Sequence, residues 1–256
     1  MKTYIKEEFK RAFISKNTAI SLILCIICIL VGSFESFYLF GFLQNNAFNL
    51  FMLSYSEGTS AILSTLFPLI VSIPFVSSYL SDVNSGLINY IVLKTGRLKY
   101  LTIKLIVNGV VGGSVIAGSL FFSFIIYLIV TGFSKAELSN STVVFGDIYQ
   151  QNPVLYIYLL ILNSFICGMC FSTFGIGMST LLKNKYLSVI FPFLFYIFSG
   201  TILLQINKLF NSVITYDLNF YYDLKYTDVL LYQGLLFLIG ISLFYSGAKI
   251  NEEQTV

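Results

Sequence analysis

Apolar runs of about 20 residues, each long enough to cross the hydrocarbon of a bilayer as a helix, dominate this 256-residue chain. Six such runs lie at roughly 18–40, 59–80, 101–131, 154–182, 187–206 and 229–247. The third and fourth exceed the minimum, so tilt or protrusion into water is expected of them. Charged residues make up only 11% of the chain and hydrophobic ones 57%, against about 25% charged in an ordinary soluble domain. Too few polar residues remain to coat a soluble globule. The expectation is an all-α polytopic membrane protein: one transmembrane domain over 1–256 with six transmembrane helices.

Lys and Arg orient it. With an even number of spans, one side carries Lys2, Lys6, Lys10, Arg11, Lys16, Lys94, Arg97, Lys99, Lys104, Lys183, Lys185 and Lys249, and the other only Lys135, Lys208 and Lys225. The positive-inside rule then puts both termini in the cytoplasm. The net charge of +3 thus reports topology and gives no reason to expect a nucleic-acid partner. Val31-Gly32-Ser33 is weakly like a signal-peptide cleavage site, but Glu7 and Glu8 among the lysines do not suit an n-region, which favours an uncleaved span.

Catalytic options are narrow. The chain has no His, so no His-ligated zinc and no Ser-His or Cys-His pair can be built. Cys25/Cys28 and Cys167/Cys170 have CxxC spacing, yet each pair sits inside an apolar run, where a thiol serves as a small packing residue. Glu7-Glu8 followed by Arg11 faintly resembles the paired-glutamate motif of membrane CAAX-type proteases. The segment precedes the first span and the histidines do not exist, so that resemblance fails. No Walker A pattern is present for binding ATP. No catalytic residue and no cofactor is expected in this chain.

Between the spans, residues 1–16 place Ile5, Phe9, Ala12 and Phe13 on one helical face, with Lys6, Lys10 and Arg11 elsewhere. That suits an interfacial helix in the headgroup layer. In the connection 81–100, Asp82 or Asn84 can cap a short helix that Gly96 ends. Leu87, Ile88, Ile91 and Val92 form its apolar stripe, and Lys94, Arg97 and Lys99 give it a basic end. A soluble partner could grip such a helix, or it could simply rest at the interface; the pattern leaves both open. The segments 41–57 and 207–228 are rich in interfacial aromatics, and 207–228 is apolar enough for a re-entrant hairpin. Asn140-Ser-Thr142 matches a short, common sequon.

Inside the spans, Gly109 and Gly113 form a GxxxG that permits close helix approach, and Gly168, Ser172 and Gly175 form a second small row. Both are expected to mark packing within the chain. Pro68, Pro74 and Pro192 free backbone carbonyls and can kink their helices. Glu35 and Lys104 fall near span ends, where Lys104 is expected to snorkel, so neither suggests an ion-coupled carrier. Asn108, Asn163 and Gln205 are the expected buried amides.

The stretch Pro68–Asn108 carries a resemblance. It contains Tyr79 and Asp82, then Ser85-Gly86, Tyr90-Ile91, Lys94, Arg97, Tyr100-Leu101, Lys104 and Asn108. In that order it resembles the permease subunits of type-2 ABC exporters, especially small bacterial ones associated with peptide and bacteriocin export or immunity. The rest of the chain matches in span count and orientation only. The resemblance implies a dimer of permeases, identical or not, in the bacterial plasma membrane over separate P-loop ATPase subunits that bind ATP and Mg. Residues 84–94 would be the coupling helix, with Asn84, Ser85, Gly86, Leu87, Ile88, Tyr90, Ile91, Lys94 and Arg97 as ATPase-coupling residues. Residues 1–16 would be the interfacial helix beside it. Uncharged aromatic spans fit an amphipathic cargo such as a phenol-soluble-modulin-like or lantibiotic-like peptide. A membrane anchor or sensor subunit and a passive carrier or scramblase are the alternatives.

Overall fold

The computed structural model describes residues 2–40, 46–57, 62–132, 144–221 and 224–253. Among them the architecture is entirely helical. The helices are α1 (Lys2–Phe13), α2 (Lys16–Phe40), α3 (Ala47–Met52), α4 (Ile62–Ser72), α5 (Ser78–Asn84) and α6 (Leu87–Thr95). They continue as α7 (Arg97–Thr131), α8 (Gly146–Gln151), α9 (Pro153–Leu182), α10 (Lys185–Thr201) and α11 (Tyr226–Glu253). Five segments, within α2, α7, α9, α10 with its following turn, and α11, are long and apolar enough to cross a membrane. This is a helical membrane protein.

The expected second span differs. Residues 59–80 do not form one helix: α4 stops at Ser72 and α5 begins at Ser78. The cause is Pro74. An uninterrupted helix would pair the Ile70 carbonyl with the N–H of residue 74, which proline lacks. The Ser21 hydroxyl of α2 donates to that carbonyl instead, at 2.5 Å, so a neighbouring helix satisfies the freed group as a membrane interior requires. Pro68 and Pro192, by contrast, sit inside continuous α4 and α10.

Polar side chains set the other boundaries. Asn152 caps α9 by accepting from Leu155 N at 3.1 Å, with Pro153 as the first helical residue. Such a proline gives up no intrahelical bond. Asn184 caps α10 by accepting from Tyr186 N and Leu187 N. These caps separate α9 from α10 with only Lys183 and Asn184 between them.

α9 is the central helix, packed against α7 on one side and α11 on the other. Small residues allow both approaches. A Cβ added to Gly113 would lie 2.6 Å from the Phe165 carbonyl oxygen, and one on Gly112 2.9 Å from that of Val71. Gly109, the other half of the expected GxxxG, has only an ordinary 3.4 Å contact with Thr173. The tight α7 pair is therefore Gly112 and Gly113, facing Gly168 and Ser172 of α9. A second crossing, not expected from spacing, is formed by Gly177 of α9 against Gly240 of α11. Asn108 fastens the first by donating to the Ser172 carbonyl at 2.7 Å, and Thr180 the second by donating to that of Leu243 at 3.1 Å.

Cys25, Cys28, Cys167 and Cys170 are free and buried. The sequon Asn140–Thr142 lies outside the described residues.

Candidate functional site

At the end of the bundle that holds α1, α5 and α6, three helices converge on a group of charges. α1 supplies Glu8 and Arg11, α5 supplies Asp82, and α7 supplies Lys104 and Tyr100. Asp82 and Lys104 are fully buried and Glu8 nearly so. The Lys104 ammonium contacts Asp82 Oδ2 at 2.7 Å and Glu8 Oε2 at 3.0 Å. It also lies over the Phe75 ring, 4.8 Å from its centroid. Arg11 reaches Asp82 Oδ1 at 2.8 Å and Glu8 Oε1 at 3.5 Å. The Tyr100 hydroxyl donates to Asp82 Oδ2 at 2.9 Å. Two carboxylates and two cations balance. Such balance is what permits charges to leave water, since an unpaired buried ion is far more costly.

Burial by itself would lower the Arg11 guanidinium, but the facing carboxylates of Asp82 and Glu8 outweigh it and hold its pKa above the ordinary value. Burial, and then Glu8 and Asp82, push the Tyr4 hydroxyl well above the ordinary tyrosine range. Both side chains therefore keep their ordinary charge states: Arg11 a cation, Tyr4 neutral.

This arrangement corrects three expectations. Lys104 does not snorkel; it is inside the protein, held by partners from two other helices. Asp82 does not cap the next helix. α6 begins after Gly86 with no side-chain cap bond, and Asn84 is the last residue of α5. The face of α1 that packs on α7 is not purely apolar either. Ala12 and Glu8 are its most buried residues, Ile5 and Phe9 are partly buried, and Phe13 stands 44% exposed.

α6 is set apart from the bundle by two glycines. Gly86 (φ 70°) and Gly96 (φ 81°) adopt left-handed or related conformations at its two ends. Neither would crowd a Cβ, so glycine is needed there for its backbone freedom alone. The expected stripe is split by the fold. Ile88, Ile91 and Val92 pack inward against the cluster around Tyr79, Tyr100 and Phe244. Leu87 points outward with Tyr90 (72% exposed), Leu93 (87%) and, beyond Gly96, Leu98 (71%). Lys94 and Lys99 are exposed beside them. Of the residues expected to couple to a partner, Tyr90, Leu87 and Lys94 are on the open face; Ile88 and Ile91 are not. Leu93 and Leu98 were not singled out by the stripe, because they fall opposite its inner face.

The other end of the bundle holds a second polar group. The chain after α10 turns through short 3₁₀ segments, and Asn211, Ser212, Ile214, Thr215, Tyr216 and Leu218 are buried. The segment therefore folds back into the helices. Asn163 of α9 and Gln233 of α11 each donate to the Thr215 carbonyl at 3.0 Å, and Gln233 also donates to Asn163 Oδ1 at 3.0 Å. Tyr55 donates to the Tyr216 carbonyl, and the Tyr216 ring stacks on Phe67. Gln205, expected among the buried amides, is exposed; Gln233 takes that place. Burial pushes the Asp217 carboxyl up to about 6, against the smaller opposing effect of the Asn219 N–H it accepts from at 3.0 Å.

The cavities are apolar. One of 470 Å³ lies between α2 and α7, beside Leu22, Ile26, Gly118 and Phe122. Two smaller ones, of 330 and 220 Å³, share Met169 and Phe237 along the seam of α9 and α11. Among the described residues no group of three His, Cys, Asp or Glu side chains is placed to hold a metal ion.

Comparison with protein-family models, with curated proteins and with solved structures found no match.

Proposed function

We propose that this chain is the membrane-spanning subunit of an ATP-driven exporter, with ATP and Mg²⁺ bound by a separate P-loop ATPase that docks on α6. The observation that carries this reading is the outward face of α6. Leu87, Tyr90 and Leu93 form a solvent-facing apolar strip beside Lys94 on a short helix hinged at both ends by glycine. A half-exposed helix with a tyrosine outermost, flanked by apolar side chains that exclude water, suits an interface centre. The inward residues Ile88, Ile91 and Val92 give that helix a firm seat. A force on α6 passes through α5 and α7, with which it is continuous.

The transported material is a hydrophobic or amphipathic molecule, with peptides of phenol-soluble-modulin or lantibiotic type as the class. The apolar seams support this, because no charged side chain lines the cavities between α2 and α7 or along α9 and α11. A second permease copy or homologue completes the transporter in the bacterial plasma membrane, with both termini cytoplasmic. No reaction is assigned to this chain's own side chains.

The test is purification in mild detergent from the native host, with mass spectrometry of what accompanies the chain. A stoichiometric P-loop ATPase is expected. Tyr90→Asp with Leu93→Asp should remove it while leaving the chain folded, whereas Ile88→Asp should unseat α6 and lower stability as well. Arrival of the chain alone, or with a different membrane protein, would favour a passive carrier or an anchor.

A further inference from the structure

The four charges of the cluster, three of them buried, divide in a way that their total does not require. Glu8 and Arg11 are three residues apart on α1 and contact each other at 3.5 Å. Asp82 and Lys104 belong to the bundle and contact each other at 2.7 Å, with the Tyr100 hydroxyl completing Asp82. The cluster charges therefore pair within each side of the α1 interface. Among the described residues, two ion pairs cross it: Arg11 with Asp82 at 2.8 Å and Lys104 with Glu8 at 3.0 Å.

The geometry points to α1 being a releasable latch, a helix that docks on α5 and α7 through those two crossing pairs and undocks without leaving an unpaired charge in the bundle. Breaking a buried ion pair is strongly destabilising when one ion is left uncompensated. Here separation of α1 leaves Lys104 on Asp82 and Arg11 on Glu8. The apolar part of the contact is modest: Ala12 is buried, while Tyr4, Ile5 and Phe9 are partly buried against Phe75, Ile103, Val107 and Val111. Arg11 already has 41% of its side chain exposed, so water reaches the outer edge of the latch. A switch needs two discrete arrangements, and the undocked one proposed here breaks only these crossing contacts. Release would also remove one support of α5, the helix from whose end α6 hinges at Gly86. The inference does not depend on the exporter reading.

The experiment uses the full chain in lipid nanodiscs with Ala12→Cys as the reporter. Cys25 and Cys167, both fully buried, serve as internal reporters of global opening. Alkylation by N-ethylmaleimide is followed at each thiol by peptide mass mapping. Exchanging the α1 charges, Glu8→Arg with Arg11→Glu, leaves the net charge of α1 unchanged but sets like charges against Lys104 and Asp82. It should raise alkylation at position 12 at least tenfold with Cys25 and Cys167 still protected. Adding Asp82→Lys and Lys104→Asp should restore protection at position 12. Hydrogen exchange over residues 2–13, in chains without the reporter, should follow the same order and covers the case in which Ala12→Cys itself loosens the helix. Unchanged reactivity after the α1 exchange would overturn the latch. So would parallel exposure of Cys25 and Cys167, which would make the cluster a support of the whole fold, or failure of the fourfold exchange to restore docking.

Discussion

Replacing Gly240 with alanine tests the close crossing of α9 and α11. An ideal Cβ on Gly240 would stand 2.8 Å from the backbone N and Cα of Phe174 and from the carbonyl carbon of Thr173. Carbon atoms pack best about 3.5–4.0 Å apart, so α9 and α11 must separate by roughly 0.7–1.2 Å to admit it. No rotamer change helps, because the obstructing atoms are backbone within a helix. Overpacking of this kind costs about 1–3 kcal/mol, and a backbone obstruction belongs at the upper end. Alanine returns about 0.5–1 kcal/mol through helix propensity, leaving a net loss of about 2 kcal/mol. Gly234→Ala, on the same helix but facing open space, isolates the propensity effect and should stabilise by up to about 1 kcal/mol. The assay is equilibrium unfolding of both variants in mixed micelles with rising SDS. A difference of about 3 kcal/mol between them is expected. Equal stability would refute the close approach, and with it the assignment of Gly177 and Gly240 as the crossing.

Other perturbations separate the remaining features. Asp217 has its folded pKa raised to about 6 from 3.8, so the folded form holds its proton more tightly. Its contribution to stability is present below about pH 4, is lost as pH rises to about 6 and is level beyond. Asp217→Asn keeps an acceptor for the Asn219 N–H and should flatten a thermal-stability profile over that window; an unaltered profile would show that Asp217 is not its source. Lys104→Met alone leaves two buried carboxylates sharing Arg11 and should cost about 3–5 kcal/mol. Combined with Asp82→Asn it should cost clearly less in the same unfolding assay, and an additive loss would argue against a coupled cluster. In intact cells, a cysteine at Lys225 should react with an impermeant maleimide and one at Arg97 should not; the reverse pattern would invert the topology.

The long helices were legible because bilayer thickness demands a run of apolar residues that composition alone displays. α7, α9, α10 and α11 fall within a few residues of the expected spans. The interruption between Ser72 and Ser78 was less so. Proline can either kink or end a membrane helix, and the choice here turns on Ser21, remote in sequence, taking over the Ile70 carbonyl. The charge cluster was missed for a related reason. Lys104 near the end of an apolar run looks like a snorkelling side chain until Glu8 and Asp82 are known to face it from other helices. On α6 the periodicity located a helix but could not say which flank of the stripe would be covered, and the bundle covers the one with Ile88 and Ile91. Gly113 was recognisable from its GxxxG, whereas Gly177 and Gly240 lie on separate helices and show their partnership only in the crossing.

The shortness of α4 bears on how this protein is made. Its 11 residues rise only about 16 Å, roughly half the hydrocarbon thickness of about 30 Å. As it leaves the ribosome, α4 needs the residues through α5 to approach that thickness, and its Ile70 carbonyl has no helical hydrogen bond. The hydroxyl that completes it belongs to α2, already synthesised, and Gly112, against which Val71 packs, has yet to emerge. The Ile70 carbonyl can therefore find its partner as soon as α4 is made, whereas the packing of Val71 is completed only once α7 follows.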